Sequence, residues 1–306
     1  MLIESKLYEE IIRKKKRLDE LRPLSNEALD SLRKAMLVDL AYNSDAIEGN
    51  TLTHGETKLV IEEGLTIGGK SLREHLEAIN HVEALSAIEN EARHKGLSEE
   101  SILYIHSIVL KGIDKKYAGI YRDHNVRISG SSYVPPPFYD VPRLMQEFVE
   151  ETKNKEKKTD PVELAAYVHF RLVDIHPFTD GNGRTARLLM NLMLFRSGYP
   201  ISVILKSDRR RYYRTLDAAH NGDMKPFFNL VARAVDRSLT IYLQTLEKKR
   251  TPEYISLEEA TKYCNYSQEY LSLLARKGDL HAVKFGRNWM TTKDDVIAYV
   301  RRVKRR

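Results

Sequence analysis

The chain has 306 residues, a single cysteine (Cys264) and a net charge of +7, with 42% hydrophobic and 30% charged residues. One thiol makes no intramolecular disulfide, so nothing marks an oxidising compartment. The apolar share is enough for two domains, or for one helical domain with an appendage. The opening MLIESKLYEEIIRKKKRLDEL lacks the apolar core of a signal peptide. The densest apolar stretch, residues 188–195, is interrupted by Asn191 and too short to span a bilayer. A cytoplasmic protein with no membrane attachment is expected.

In chain order, the first third reads as helices. Ile11, Ile12, Leu18 and Leu21 form an imperfect stripe. Beyond Pro23, residues Leu29, Leu32, Met36, Leu37 and Leu40 recur at helical spacing, with Ser25 or Asn26 as the N-cap. A glycine-containing loop over 64–71 precedes a helix from Leu72 to His94, and Ser98 opens another that Gly112 ends. Residues 119–140 differ in kind: NVRI, SGSS and YVPPP read as a strand, a turn and an extended arm, hence a surface hairpin. The run TKNKEKKTD is a solvated loop or a frayed helix end. Pro161 at a first helical position then starts the apolar helix VELAAYVHFRLVDI. A helix starts just after Gly183, and two more run over 209–219 and 226–249. Thr251-Pro252 marks a domain boundary.

Beyond it, Ser256 caps a helix, Cys264 and Asn265 turn, and a second helix starts at Ser267. KGDLHAVKFGRNWMTT reads as a two-stranded wing before a last helix. Residues 250–306 hold twelve Lys/Arg against seven Asp/Glu, which is +5 of the total +7. That asymmetry points to an anionic partner, nucleic acid first, or to a solubilising basic tail.

Residues 176–187, HPFTDGNGRTAR, carry the chemistry. Gly181 and Gly183 flank Asn182, allowing successive amides to turn inward as an anion nest at the positive end of the following helix. Arg184 and Arg187, three apart, share a face and clamp neighbouring phosphates. Asp180 suits a magnesium ion between phosphate oxygens, and His176 a general base near neutral pH. His169, one helix earlier, reads as a packed core residue.

The pattern HPFxDGNGRxxR resembles the signature of the Fic family, and the likeness extends over residues 35–248 through SDAIEGNTL, GIYRDHNVRI, YVPP, RYYRTL and NGDMKPF. The resemblance implies an all-α, mainly helical Fic fold with a small β-hairpin flap. It divides the chain into an N-terminal helical region (1–98), a catalytic core (99–248) and a winged helix-turn-helix domain (252–306) similar to excisionase and MerR-type regulators. It implies a protein adenylyltransferase that moves AMP from ATP to a Ser, Thr or Tyr hydroxyl of target proteins and of itself. His176 would take the hydroxyl proton, and Asp180 would hold Mg²⁺. Asn182 and the glycine amides would bind the α-phosphate, Arg184 the β- and Arg187 the γ-phosphate, with Thr185 and Ala186 in the same ATP-binding stretch. Phe178 would anchor the loop in the core.

Residues 125–137 resemble the family flap, which pins a target main chain by strand addition, with Val126, Arg127, Ile128 and Ser129 at the nucleotide. Tyr212 and Tyr213 match the aromatic pair of the nucleotide pocket. His220 departs from the Asn that many relatives carry near the adenine. Ser44, Glu48 and Gly49 match an inhibitory motif, in which Glu48 takes a bidentate pair from Arg187; the alternative is an ordinary helix end capped by Gly49. Two other readings stay open: removal of AMP with Glu48 aligning water, and a DNA-binding regulator whose Fic domain senses nucleotide. In the C-terminal domain, Gln268, Tyr270 and Ser272 could face bases and Arg276, Lys277, Lys284 and Arg287 phosphates; a protein-interaction module fits the same scaffold. The family resemblance favours a homodimer.

Overall fold

Two consecutive helices that are apolar on nearly every side set the architecture. The computed structural model describes residues 1–22, 26–94, 96–128, 131–248, 254–285 and 288–304. Pro23, Ser25, Ser129, Thr251-Pro252 and Arg287, all invoked above, lie outside them.

The chain divides into two compact units, residues 1–245 and 246–306. The first contains α1 (Ser5–Glu20), α2 (Asn26–Glu48), α3 (His54–Glu63), α4 (Leu72–His94), α5 (Glu99–Val109), α6 (Val141–Glu156), α7 (Pro161–Ile175), α8 (Asn182–Arg196), α9 (Arg209–His220) and most of α10 (Lys225–Lys248). Helix α2 starts at Asn26. Helix α3 was not foreseen, although its signal is in the sequence: Thr53 and Glu56 form a reciprocal capping box, and Gly64 ends the helix at φ 66°.

Helix α7 buries Leu164, Val168, Leu172 and Ile175, and α8 buries Leu188, Leu189, Leu192 and Met193. Helices this apolar have no solvent face and become the centre of a domain. Helix α8 packs closely on α7 and is surrounded further by α2, α4 and α5. Its N-terminus emerges where the chain turns after α7, and that turn is the loop 176–181.

Segment 121–137 forms no hairpin ladder: among the described residues it carries no strand, against expectation. Pro135, Pro136 and Pro137 have no N–H to donate, so a ladder lacks half its bonds on that arm. Other groups hold the arms. Tyr133 Oη donates to the Asp174 carboxylate at 2.8 Å, Ser131 Oγ to Asp217 at 2.9 Å, and the Phe138 amide to Asn125 Oδ1 at 3.0 Å.

The second unit has its own core of Leu257, Ala260, Leu271, Leu274, Leu280 and Val296, with Trp289 packed against it. It contains β1 (Tyr254–Ser256), α11 (Leu257–Ala260), α12 (Gln268–Lys277), β2 (Ala282–Phe285), β3 (Asn288–Thr292) and α13 (Lys293–Lys304). The antiparallel sheet has the order β1-β3-β2, so the expected two-strand wing gains a third strand from residues just before α11. Ser256 and Ser267 cap α11 and α12 as expected.

Asp160 caps α7, accepting the amides of Val162 at 2.8 Å and Glu163 at 3.3 Å. Asp160→Ala is expected to lower stability by about 1 kcal/mol, read as a reduced urea midpoint with an unchanged slope.

Candidate active site

Loop 176–181 is held in a costly conformation by groups that leave it no alternative. His176 ends α7 at φ 50°, ψ 56°, and is the one non-glycine with positive φ among the described residues. A left-handed residue with a Cβ costs roughly 1–2 kcal/mol. Three contacts offset that cost. The Asn182 carboxamide closes a reciprocal pair with the Phe178 backbone, accepting its N–H at 3.0 Å and donating to its carbonyl at 2.8 Å. The Phe178 ring is fully buried and stacks on His106 at 3.5 Å. His106 Nε2 donates to the Asp180 carbonyl at 2.9 Å, while Nδ1 accepts the Gly119 amide at 3.0 Å, which assigns the tautomer.

The loop delivers the start of α8 into a cleft of about 550 Å³. Gly181, at φ 77°, precedes the helix, and among the described residues the amides of Asn182, Gly183 and Arg184 have no hydrogen-bond partner. These are the orphan donors of a helix N-terminus, aimed where an anion binds. The Asn182 side chain is spent on the loop, so it offers an anion only its backbone amide.

Asp180 lies at the loop's end. Its Oδ1 accepts the Gly181 amide at 2.6 Å and Arg184 Nη2 at 3.2 Å, and its Oδ2 accepts Arg73 from α4. Burial pushes its pKa up, but Arg184, the Gly181 amide and Arg73 outweigh that and hold the carboxyl ionised. Arg184 is buried, with Nη1 3.2 Å from Glu77 Oε1, and its Nε and Nη1 make no hydrogen bond. Buried donors left open in this way are receptive to an incoming anion.

Arg187 does not line the cleft and does not share the clamp with Arg184 in this state. It is 1% exposed, which makes its guanidinium one of the largest fully buried groups. Nε donates to Ser44 Oγ at 2.8 Å, and Nη2 to the Ser44 carbonyl at 2.9 Å and Glu48 Oε1 at 2.7 Å. Nη1 reaches Tyr212 Oη at 3.3 Å, and that hydroxyl lies 3.2 Å from Nε2 of the fully buried His169. The pair with Glu48 is therefore single, not bidentate, because Ser44 takes the other edge. Burial alone would depress the Arg187 pKa; the Glu48 charge reverses this and raises it. Glu48 is the last residue of α2, where the negative end of the helix dipole also faces the cation. Its carboxylate lies directly over Gly183, where a Cβ would meet Oε1 and displace the Glu48 side chain. Gly49 follows at φ 111° and lets the chain leave the helix.

The remaining sequence candidates sort by position. His176, residues 180–184, Tyr212, Tyr213, His220, Arg127, Ile128 and Glu48 line the cleft. Thr185 and Ala186 are fully buried in α8, and Val126 is not part of the lining. A helix start presents only its first turn to a ligand, which is why the later positions turn into the core. His220 stacks flat on Tyr133 at 3.6 Å and 1°, and neither of its ring nitrogens has a hydrogen-bond partner. Sequence reading missed His106, Tyr133, Arg73 and Glu77. It also missed Arg209, which donates to the Ile47 carbonyl at 2.7 Å and lies over the Tyr213 ring. None of these falls in the contiguous loop motif.

His176 is driven down to about 4, first by burial, with the Arg122 charge adding to it and the Val173 carbonyl and Glu48 opposing. The imidazole is neutral at pH 7. A long contact from Nδ1 to the Val173 carbonyl, 3.4 Å, favours the proton on Nδ1 and leaves the Nε2 lone pair free.

The site is a helical core whose central helix aims its free amides into a cleft, with a carboxylate of the same chain lying over them. The Fic/DOC family profile matches residues 96–194. A Fic-domain signalling protein from Bacteroides thetaiotaomicron has a solved structure with TM-score 0.74 and 31% identity, covering 78% of this chain and 98% of that one. Fic-1 of C. elegans superposes with TM-score 0.72 at 34% identity, over 80% and 74% of the two chains. The protein adenylyltransferase Fic of Nematostella vectensis is 41% identical over 205 residues, 66% of this chain and 48% of its own length. The chain thus spans about half the length of that curated relative. It belongs to the Fic family.

Among the described residues, no helix is long and apolar enough to cross a membrane. His106 and His176 are each held near pKa 4 against 6.5 unperturbed. A depressed folded pKa means that the unfolded chain binds more protons between these values. Stability is therefore complete above pH 6.5 and lost as pH falls towards 4. Thermal melts across this range are expected to show a plateau and then a steep decline, with a shallower decline in His106→Gln.

Proposed function

We propose that the cleft transfers AMP from ATP to a Ser, Thr or Tyr hydroxyl of a protein, this chain included, and that Glu48 holds the resting enzyme off. The observation that carries this reading is the carboxylate of Glu48, placed over Gly183 and paired with Arg187 where a nucleotide phosphate belongs. The domain roles follow: residues 1–98 carry the brake, 99–248 the catalytic core.

In the active arrangement, Glu48 leaves and the γ-phosphate takes its place on Arg187. Arg184, which lines the cleft beside Asp180, receives the β-phosphate. The amides of Asn182 and Gly183 receive the α-phosphate and stabilise the charge that grows on it. Arg127 and Ile128 on the flap, with Tyr213 and His220, border the rest of the nucleotide. Nε2 of His176 takes the proton of the acceptor hydroxyl as its oxygen bonds to the α-phosphorus. The bond from that phosphorus to the oxygen bridging to the β-phosphorus breaks, and pyrophosphate leaves. Positioning and preorganised charge supply most of the acceleration.

Magnesium fits this site. Asp180 presents an ionised carboxylate beside the nest, and Mg²⁺ characteristically takes one or two carboxylates together with substrate phosphates. Among the described residues no cluster of three His, Cys, Asp or Glu could hold a metal alone, so the cation depends on the nucleotide. When bound, it neutralises phosphate charge. Arg73 must release Asp180 Oδ2 for that to happen.

The engaged Glu48 favours a second reading: in the same cleft as His176, its carboxylate can align water for removal of AMP. Incubation with ATP and Mg²⁺ followed by intact mass spectrometry separates the cases. Glu48→Gly is expected to accumulate AMP adducts at least about 10-fold above wild type, given that breaking a charge-assisted contact of this kind shifts equilibria by more than 1.4 kcal/mol. Loss of the adduct on adding wild type supports removal, and equal adducts in wild type and variant sink the brake. His176→Ala in the Glu48→Gly background is expected to bind ATP but transfer nothing; retained transfer removes the base role.

For residues 252–306 we propose a winged helix-turn-helix that binds DNA through α12 and the wing. Exposed Gln268, Tyr270, Arg276, Lys277 and Lys284 on one small basic unit support this. Duplex binding by the full chain is expected to weaken steeply between 50 and 200 mM salt, roughly as the power law set by its phosphate contacts. Binding that is absent at low salt, or flat across the range, leaves a protein-interaction module in its place.

A further inference from the structure

Arg122 stands at the root of the flap and is 3% exposed. Its backbone amide donates to the Pro177 carbonyl at 2.9 Å, and its side-chain Nε to the His176 carbonyl, also at 2.9 Å. On the other edge of the same guanidinium, Nη1 donates to the His124 carbonyl at 3.1 Å and Nη2 to the Pro136 carbonyl. Among the described residues no carboxylate pairs with this cation, and burial lowers its pKa without an opposing acid. A buried cation committed entirely to carbonyls is costly to keep, and its donor directions carry the explanation.

The two flap arms have no ladder between them, and His124 and Pro136 are one from each arm. Arg122 replaces the missing ladder by holding both ends of the flap, which places Arg127, Ile128 and Ser131 on the cleft wall. Its opposite edge grips the strained peptide of His176. One rigid planar fork therefore spans the acceptor side of the cleft and the residue that takes the acceptor's proton. A lysine ammonium carries its three donors on one nitrogen and lacks the planar fork that here serves three carbonyls from three separate nitrogens.

We propose that Arg122 is a positioning residue that fixes the flap and His176 relative to each other, so that an acceptor hydroxyl laid along the flap meets the imidazole. The proposal rests on the reading of His176 as the general base. The charges facing that imidazole are Arg122, Glu48 and His220, so losing the Arg122 cation also moves its titration upward.

The test uses the full chain with Glu48→Gly as parent, together with Arg122→Gln and Arg122→Lys. Five quantities are read: AMP transfer, ATP affinity by calorimetry, melting temperature, trypsin cleavage after Arg127, and the His176 imidazole titration by NMR, assigned with His176→Ala. In Arg122→Gln, kcat is expected to fall on the order of 10²-fold, as misplacement of reacting groups produces. ATP affinity should hold within about 3-fold, a change of under 1 kcal/mol, while flap cleavage quickens and the His176 titration moves up toward the ordinary histidine range. Arg122→Lys is expected to keep the low titration, because the charge remains, yet still to expose the flap and lose part of kcat. Parent-like transfer, cleavage and titration in Arg122→Gln overturn the proposal. So does a loss of kcat matched by equal losses of ATP affinity and melting temperature. A parent that transfers no AMP counts against the proposed function itself, and the titration and cleavage measurements then decide Arg122 on their own.

Discussion

Arg187, buried inside the helical core, has its charge met by an anion. Arg187 cannot shed its proton, and an unpaired charge at such depth costs several kcal/mol. In this chain the anion is the Glu48 carboxylate, assisted by Ser44 and the C-terminal dipole of α2. Tyr212 on α9 and His169 on α7 complete the cage. Helices α2 and α9 thus converge on the cation carried by α8, with α7 supporting Tyr212 from behind.

The loop before α8 shows the same economy. The left-handed His176 is an unfavourable conformation, and more so ahead of proline, which already restricts the preceding residue. It persists because Asn182, His106 and Arg122 each hold a different piece of the loop backbone. The result is a preorganised row of amides, with an imidazole that burial keeps neutral. Rigidity at the loop contrasts with the flap, whose proline-rich arm leaves backbone groups without ladder partners. A segment of that kind can pair with an extended chain brought to it.

Much of this was legible in one dimension. The apolar character of α7 and α8 fixed the domain centre, and the run HPFTDGNGR placed nest, acid and base within one loop and one helical turn. Capping residues Ser98, Ser256 and Ser267 marked helix starts that the structure bears out. Where the reading went wrong, local pattern had no access to the deciding contact. Asn182 faces the loop because Phe178 offers both a donor and an acceptor there, and Thr185 and Ala186 turn inward with the helix. The flap failed to form a hairpin because three prolines remove the donors, a signal that was present but outweighed by the strand-like NVRI.

Local sequence, then, specifies the helices, their caps and the phosphate-facing loop, because those depend on residues only a few positions apart. Pairings between distant segments depend on packing. Arg187 with Ser44 and Glu48, His106 under Asp180, and Arg122 on the His176 carbonyl bring together residues 54 to 143 positions apart in the chain. No periodicity or spacing encodes such contacts; they exist only once the apolar faces of α2, α4, α5, α7 and α8 have found each other.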